Sequence, residues 1–304
     1  MPEITKSTGG AWFVLLAAAL WGTTGTAQAF APAGFDSTVI GTLRLAVGGG
    51  VLLILALAGG QFRGARSWPL RATFLAALFT GSYQVCFFWA VAKTGVAVGT
   101  IVGIGSAPVA GGLLGILFRG ERPGRRWLVA TVLAIAGCTL LAAGGGGVSV
   151  DLFGIALALG AGVSYAAYTL FVKDLLEEHA PDAVMAVVFC LGALLLLPLV
   201  WDRPLAWLAA PRSLAVVLHL GLVTAGIAYW LFARGLQTVG VATATTLSLA
   251  EPATAGLLGV LVLGETLTPL SGLGIVLLFA GLVVLALGSR RLPPQADEAM
   301  RPVG

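Results

Sequence analysis

The sequence predicts an all-α integral membrane fold of ten transmembrane helices. It arranges them as two inverted five-helix repeats, with both termini in the cytoplasm. Three observations carry this. The 304-residue chain is 58% hydrophobic and 10% charged, with a mean hydropathy of +1.00, whereas a soluble domain carries about 25% charged residues. It contains ten long, nearly uncharged runs, and it resembles itself when shifted by 144 residues. The composition excludes a soluble enzyme, a secreted module, a nucleic-acid binder and a disordered chain. The pI near 9.3 comes from only 17 basic residues, whose positions say more than their sum.

A helix needs about 20 apolar residues to cross the hydrocarbon core. The runs lie at 11–30, 37–58, 71–91, 97–118, 127–143, 152–172, 182–201, 213–233, 240–263 and 270–288. Gly and Pro within them are tolerated better in lipid than in soluble helices. The connections are too short to fold as a soluble domain. Lys6, the first run and Ala27-Gln28-Ala29 imitate a cleavable signal peptide. The run is long enough to span, and the repeat requires it, so it reads as the first helix.

Orientation follows from loop Lys and Arg. One face collects Lys6, Arg63, Arg66, Arg71, Arg119, Arg122, Arg125, Arg126, Lys173, Arg234, Arg290, Arg291 and Arg301; the other has Lys93, Arg203 and Arg212. The richer face is the cytoplasmic one. Trp12, Trp68, Trp127, Trp201 and Trp207 fall at span ends, where an amphipathic ring suits the headgroup region. Cys86, Cys138 and Cys190 lie inside spans with no CxxC or Cys/His cluster, so they read as small apolar residues. No cofactor and no metal is expected.

The repeat appears as PVAGGLLGILFRGE from Pro108 to Glu121 and PATAGLLGVLVLGE from Pro252 to Glu265. The same shift places Thr94 on Thr238 and Gly137 on Gly281. The Gly144–Gly147 run separates two halves, 1–147 and 148–304. Five crossings per half is odd, so the second half enters the membrane from the opposite side. Inverted repeats of this kind recur in secondary transporters, where one set of contacts gives both inward-open and outward-open shapes.

Trp21-Gly22, Pro108 with Gly120-Glu121, and Glu251-Pro252 with Gly264-Glu265 resemble the signature of the EamA group of the drug/metabolite transporter superfamily. The resemblance spans residues 11–288 and is nearest to the aromatic amino-acid exporter branch, the YddG-type. Tyr165 stands where the second repeat often has Trp. The resemblance implies a ten-helix carrier of the bacterial cytoplasmic (inner) membrane that exports amino acids or related small metabolites. Its implied partners are the lipid bilayer and a small-molecule substrate. A broad-specificity drug or metabolite exporter of the same fold is the alternative.

Ionisable residues inside a bilayer are functional candidates, and Glu251, Arg44 and His219 qualify. Two roles are open to Glu251: a proton carrier or partner for a substrate ammonium, or a structural ligand for backbone groups freed by Pro252. Arg44 is suited to pair with Glu251, to grip a carboxylate as a fork, or to snorkel outward. His219 is expected near the cytoplasmic mouth or interface, where a pH-sensing role is conceivable. Tyr83, Tyr165, Tyr168 and Tyr229 all lie within spans. With Trp21, Gln28, Gln84 and Ser248 they form a candidate cavity lining of rings and sparse polar handles, suited to amphipathic solutes. Each is also an ordinary packing residue. Pro108 and Pro252 are expected to bend the central helices as hinges or gates, and Glu121 and Glu265 to serve turns and interfaces.

No catalytic residue is expected. Gly162-x-Ser164 is followed by Tyr165 rather than Gly, and there is no HExxH. Nothing resembles a repeated filter of the channel type.

Overall fold

A bundle of long helices coated with apolar side chains is what these runs build. The computed structural model describes residues 9–31, 36–62, 67–143, 151–264 and 268–288. Lys6, Arg63, Arg66, the Gly144–Gly147 run, Glu265, Arg290, Arg291 and Arg301 fall outside them. The helices are α1 Gly9–Ala29, α2 Ser37–Ala58, α3 Leu70–Arg119, α4 Arg125–Ala143, α5 Leu152–Leu175 and α6 Pro181–Leu196. After α7, Pro211–Leu218, a π-helical stretch His219–Ile227 leads into α8, Ala228–Leu236. The chain then forms α9 Val241–Leu247, α10 Ala250–Leu263 and α11 Pro269–Gly288. Among the described residues, nine segments are long and apolar enough to cross a membrane. The run expected as the fifth crossing is α4, 19 residues long.

Two elements differ from the simple reading of one run per helix. Helical hydrogen bonding continues through α3, yet the chain doubles back within it. Tyr83 lines one cavity with Gly103, Ile104 and Ala107, although a straight helix would hold Tyr83 and Ala107 about 36 Å apart. α3 therefore contributes two crossings, Leu70–Thr94 and Val102–Arg119. The ninth span, Val241–Leu263, is interrupted at Ser248–Leu249, between α9 and α10.

Local chemistry sets the ends. Asp36 caps α2 by accepting from the Thr38 and Val39 N–H groups at 2.8 and 3.2 Å. Asp151 caps α5 by accepting from Gly154 N–H at 2.7 Å. Gly120 and Gly264 end α3 and α10 with φ of 60° and 71°, a region that favours glycine. They are 144 positions apart, so both copies of the repeat stop by the same device. Thr268 Oγ1 accepts from Ser271 N–H at 3.1 Å and Pro269 opens α11, the expected cap and first-turn pair.

The packing repeats under the same shift. A methyl on Gly137 would lie 2.5 Å from Leu278 N, and one on Gly281 would lie 3.0 Å from Ala134 N. The shift turns the first contact, α4 on α11, into the second. It likewise turns Gly10 against Thr238 into Gly154 against Thr94. Phe189 and Phe232 are the largest fully buried side chains, while Leu55, Leu57, Leu117, Phe118, Leu261 and Val276 are exposed. In water that coat would drive aggregation; in lipid it carries no penalty.

Close approach at Gly137 yields a prediction. Gly137→Ala brings a methyl against backbone on α11, so it should lower stability by about 1–3 kcal/mol. Gly272→Ala, where nothing lies within 4 Å, should change it little. Thermal unfolding of the detergent-solubilised protein compares the two.

Candidate substrate site and clamped end

The ring-bearing residues of the sequence converge. Trp21 of α1 lies 4.6 Å from Tyr229 and 5.3 Å from Phe232 between ring centroids. It meets Tyr165 edge-on at 6.3 Å. Tyr165 also approaches Tyr83 at 5.9 Å and Tyr168 at 6.1 Å, and Phe189 reaches Tyr229 at 4.7 Å. Five elements thus supply one cluster: α1, α3, α5, α6 and α8. Trp21 and Tyr165 are 144 positions apart, so equivalent rings of the two copies touch at the centre.

Two cavities of about 20 and 10 Å³ remain within the cluster, each the size of roughly one water molecule. The larger is bounded by Tyr83, Ala107, Tyr165, Thr245, Ser248 and Glu251, the smaller by Thr80, Tyr83, Tyr165, Tyr168 and Tyr229. The centre is closed in this state. Ser248 Oγ donates to the Ala244 carbonyl at 2.9 Å, which uses its only proton. Tyr165 Oη at 2.7 Å is therefore the donor to Ser248.

The break beside Ser248 follows from Pro252. A proline has no N–H, so the Ser248 carbonyl loses its donor four residues on. Glu251 N–H supplies a shorter bond instead, at 3.0 Å, and Leu249 N–H bonds the Thr246 carbonyl at 3.1 Å. The Glu251 backbone, not its carboxylate, satisfies the freed group. Among the described residues the carboxylate accepts no hydrogen bond, and it faces the larger cavity. Arg44 acts electrostatically on Glu251, Tyr83 and Tyr229, but no ion pair joins Arg44 to Glu251 among the described residues. Arg44 Nε and Trp21 Nε1 are both buried without a partner among the described residues. Such orphans are costly, and each calls for an explanation.

The other expected residues separate from this group. Gln28 lies two turns beyond Trp21 on α1, outside both cavities. Gln84 is buried facing α2, where a methyl on Gly41 would meet its Nε2 at 3.6 Å. Helix α3 continues through Pro108, whereas Pro252 lies just past a break. Trp127, in the first turn of α4, donates its Nε1 proton to the Ala242 carbonyl at 2.9 Å, joining α4 to α9.

His219 corrects an expectation. Its Nε2 lies 2.9 Å from Thr23 Oγ1, near the end of α1, and α7 enters directly from the segment carrying Arg203 and Arg212. His219 thus lies toward that end of the bundle, opposite Arg119, Lys173 and Arg234. The reason is direction: the eighth span begins at the Arg203 end, so its early residues stay there. Phe232 and Phe189 were not singled out in the sequence. Phe232 follows Tyr229 by three residues on one helix face, a signal that was available. Phe189 lies in an unbroken apolar run and carries no such signal.

The end bearing Arg119 and Lys173 is clamped. Arg119 pairs with Asp174 and Glu177. Lys173 Nζ donates to the Leu236 and Val239 carbonyls at 2.7 and 2.6 Å. The Glu121 carboxylate accepts from Val241 and Ala242 N–H at 2.6 and 3.2 Å. A cation thus holds the outgoing carbonyls of α8 and an anion the incoming N–H groups of α9, matching the polarity of both helix ends. At the opposite end Asp36 meets Arg203 at 3.3 Å, partly exposed.

The described residues form a bundle of membrane-length helices with an apolar exterior, two halves that pack alike and an aromatic centre. The sequence model of the EamA-like transporter family matches residues 8–143 and 152–287, and the chain belongs to that family. It is 45% identical over 279 residues to the uncharacterized transporter YwfM of Bacillus subtilis, covering 92% of this chain and 94% of that one. It is 34% identical over 182 residues to the threonine/homoserine exporter RhtA of Escherichia coli K12, covering 57% of each. A crystal structure at 23% identity superposes with a TM-score of 0.80, covering 94% of this chain and 99% of that chain, which establishes the fold alone.

Glu121→Ala leaves two N–H groups of α9 without acceptors. The loss expected is about 1–3 kcal/mol of stability, read from thermal unfolding. A stability equal to wild type would mean that water replaces the carboxylate without cost.

Proposed function

We propose that the chain is a secondary transporter that exports amino acids, chiefly aromatic and apolar ones, or related small metabolites. The reading places ten crossings in the bacterial cytoplasmic membrane, as inverted repeats 1–147 and 148–304 with both termini in the cytoplasm. One observation carries it: among the described residues Trp21 Nε1, in the aromatic cluster, and Arg44 Nε, which acts electrostatically on that cluster, are buried without partners, while Glu251 lines the central cavity. An amino acid brings the missing groups. Its carboxylate accepts from the indole and guanidinium, its ammonium donates to Glu251, and its side chain stacks among the rings. The excess of basic residues makes the clamped end cytoplasmic, so this state is closed to the cytoplasm. Pro252, with its break, and Pro108 are the hinges about which each half rocks. Export requires Lys173 and Glu121 to release the α8–α9 turn.

The hydroxyls of Tyr165, Ser248 and Thr245 on the cavity also favour a second reading, a small hydroxyl-bearing amino acid of the kind in the RhtA name. Counterflow into proteoliposomes separates the two. Preloaded phenylalanine should accelerate uptake of its labelled form severalfold, with threonine and homoserine weaker; the reverse order selects the second reading. If no preloaded amino acid accelerates uptake, amino-acid exchange is wrong.

Glu251 is proposed to couple transport to protons. Glu251→Gln should slow counterflow about 10-fold or more, the scale set by losing one charge-assisted bond to the substrate. It should also abolish the response to an imposed pH gradient. A variant that keeps both rate and pH response removes Glu251 from the mechanism.

A further inference from the structure

A third cavity, of about 390 Å³, opens between α1, α7 and α10. It shares no lining residue with the two central ones. Leu258 on its wall lies seven residues past Glu251 on α10, and Thr26 lies five past Trp21 on α1. The cavity is therefore displaced by about 8–10 Å toward the end bearing Arg203. Arg212 and His219 line it from one face of the eighth span, with Phe30, Val216 and Leu258 as its apolar wall.

The polar groups are of two kinds. The Arg212 guanidinium is a fixed donor fork suited to a carboxylate. His219 is fixed by its neighbour: Thr23 Oγ1 donates its proton to the Leu20 carbonyl at 2.7 Å, so at 2.9 Å it accepts from His219 Nε2–H. His219 then turns Nδ1 to the cavity as its remaining ring nitrogen, with no partner among the described residues. One donor fork, one acceptor and an apolar wall around a volume of this size match a zwitterion with an apolar side chain. α1 has no charged residue among those described, and Arg212 is the charged residue on the cavity wall.

We propose that this cavity is an outer subsite for an apolar α-amino acid. The carboxylate rests on Arg212, the ammonium donates to His219 Nδ1, and the side chain lies on Phe30, Val216 and Leu258. The identity of the ligand rests on the amino-acid reading of the centre. The subsite lies on the release side, so it holds the solute after it leaves the aromatic cluster.

The test is equilibrium binding of labelled phenylalanine to the full chain in nanodiscs of zwitterionic lipid. Wild type should bind two molecules per chain. Arg212→Gln should weaken one event at least about 10-fold. Ala215→Trp, which fills the cavity from an exposed position without altering charge, should remove the same event. 3-Phenylpropionate, which keeps the carboxylate, should still show the Arg212-dependent event, and phenethylamine should not. Unchanged stoichiometry in both variants overturns the subsite. So does displacement of that event by added phosphatidylglycerol, which would assign Arg212 to a lipid headgroup. Amino-acid counterflow without Arg212-dependent binding sinks the subsite alone. Arg212-dependent binding without counterflow sinks the transport reading and leaves the subsite standing.

Discussion

A helix in hydrocarbon must satisfy its own backbone, and Pro252 removes one N–H from a helix at the centre of the bundle. Much of the site depends on how that loss is resolved. The Ser248 carbonyl takes a shorter bond from Glu251 N–H, and the helix breaks into α9 and α10. Glu251 is thereby held in the first turn of α10 by its backbone while its carboxylate stays free beside Tyr83 and Tyr165. Ser248, on the other side of the break, receives the Tyr165 hydroxyl. A single missing donor thus positions an acid and a hydroxyl on one cavity.

The two halves share a plan but not a chemistry. The shift of 144 residues reproduces glycine contacts between α4 and α11, matches Gly120 to Gly264 and brings Trp21 against Tyr165. It also matches Pro252 to Pro108. Yet the residue before Pro108 is Ala107, with no carboxylate, and the helix there is not interrupted. Symmetry supplies a common scaffold for the two halves. Departure from symmetry places a carboxyl, Glu251, beside Pro252 in the second half alone.

The two ends are also unequal. Lys173 and Glu121 act on the same turn from opposite electrical sides, gripping the carbonyl end of α8 and the N–H end of α9. Such bonds matter because helix ends leave carbonyl and N–H groups without partners inside the helix. They are nonetheless side chain to backbone bonds, which water can replace when the end opens. The Asp36–Arg203 pair across the bundle is partly exposed and worth less.

Much of this was legible in the sequence. Long, nearly uncharged runs and the repeat are local or periodic signals, and the structure carries them. The tyrosines could be named because polar rings inside apolar spans stand out, and Trp21, Tyr83, Tyr165, Tyr168, Tyr229 and Ser248 do converge. Gln28 and Gln84 stood out equally and do not join them, since helix rotation relative to neighbours is not written in one helix. Phe189 was invisible for the opposite reason: an apolar ring in an apolar run has no contrast. His219 needed the direction of its helix, and Trp127 needed a partner 115 positions away in sequence. The sequence by itself determined which segments leave water and roughly where the spans lie, because apolar run length is a property of short segments. The tertiary structure decided which polar groups find partners, because in a bilayer that depends on what a neighbouring helix presents at the same depth.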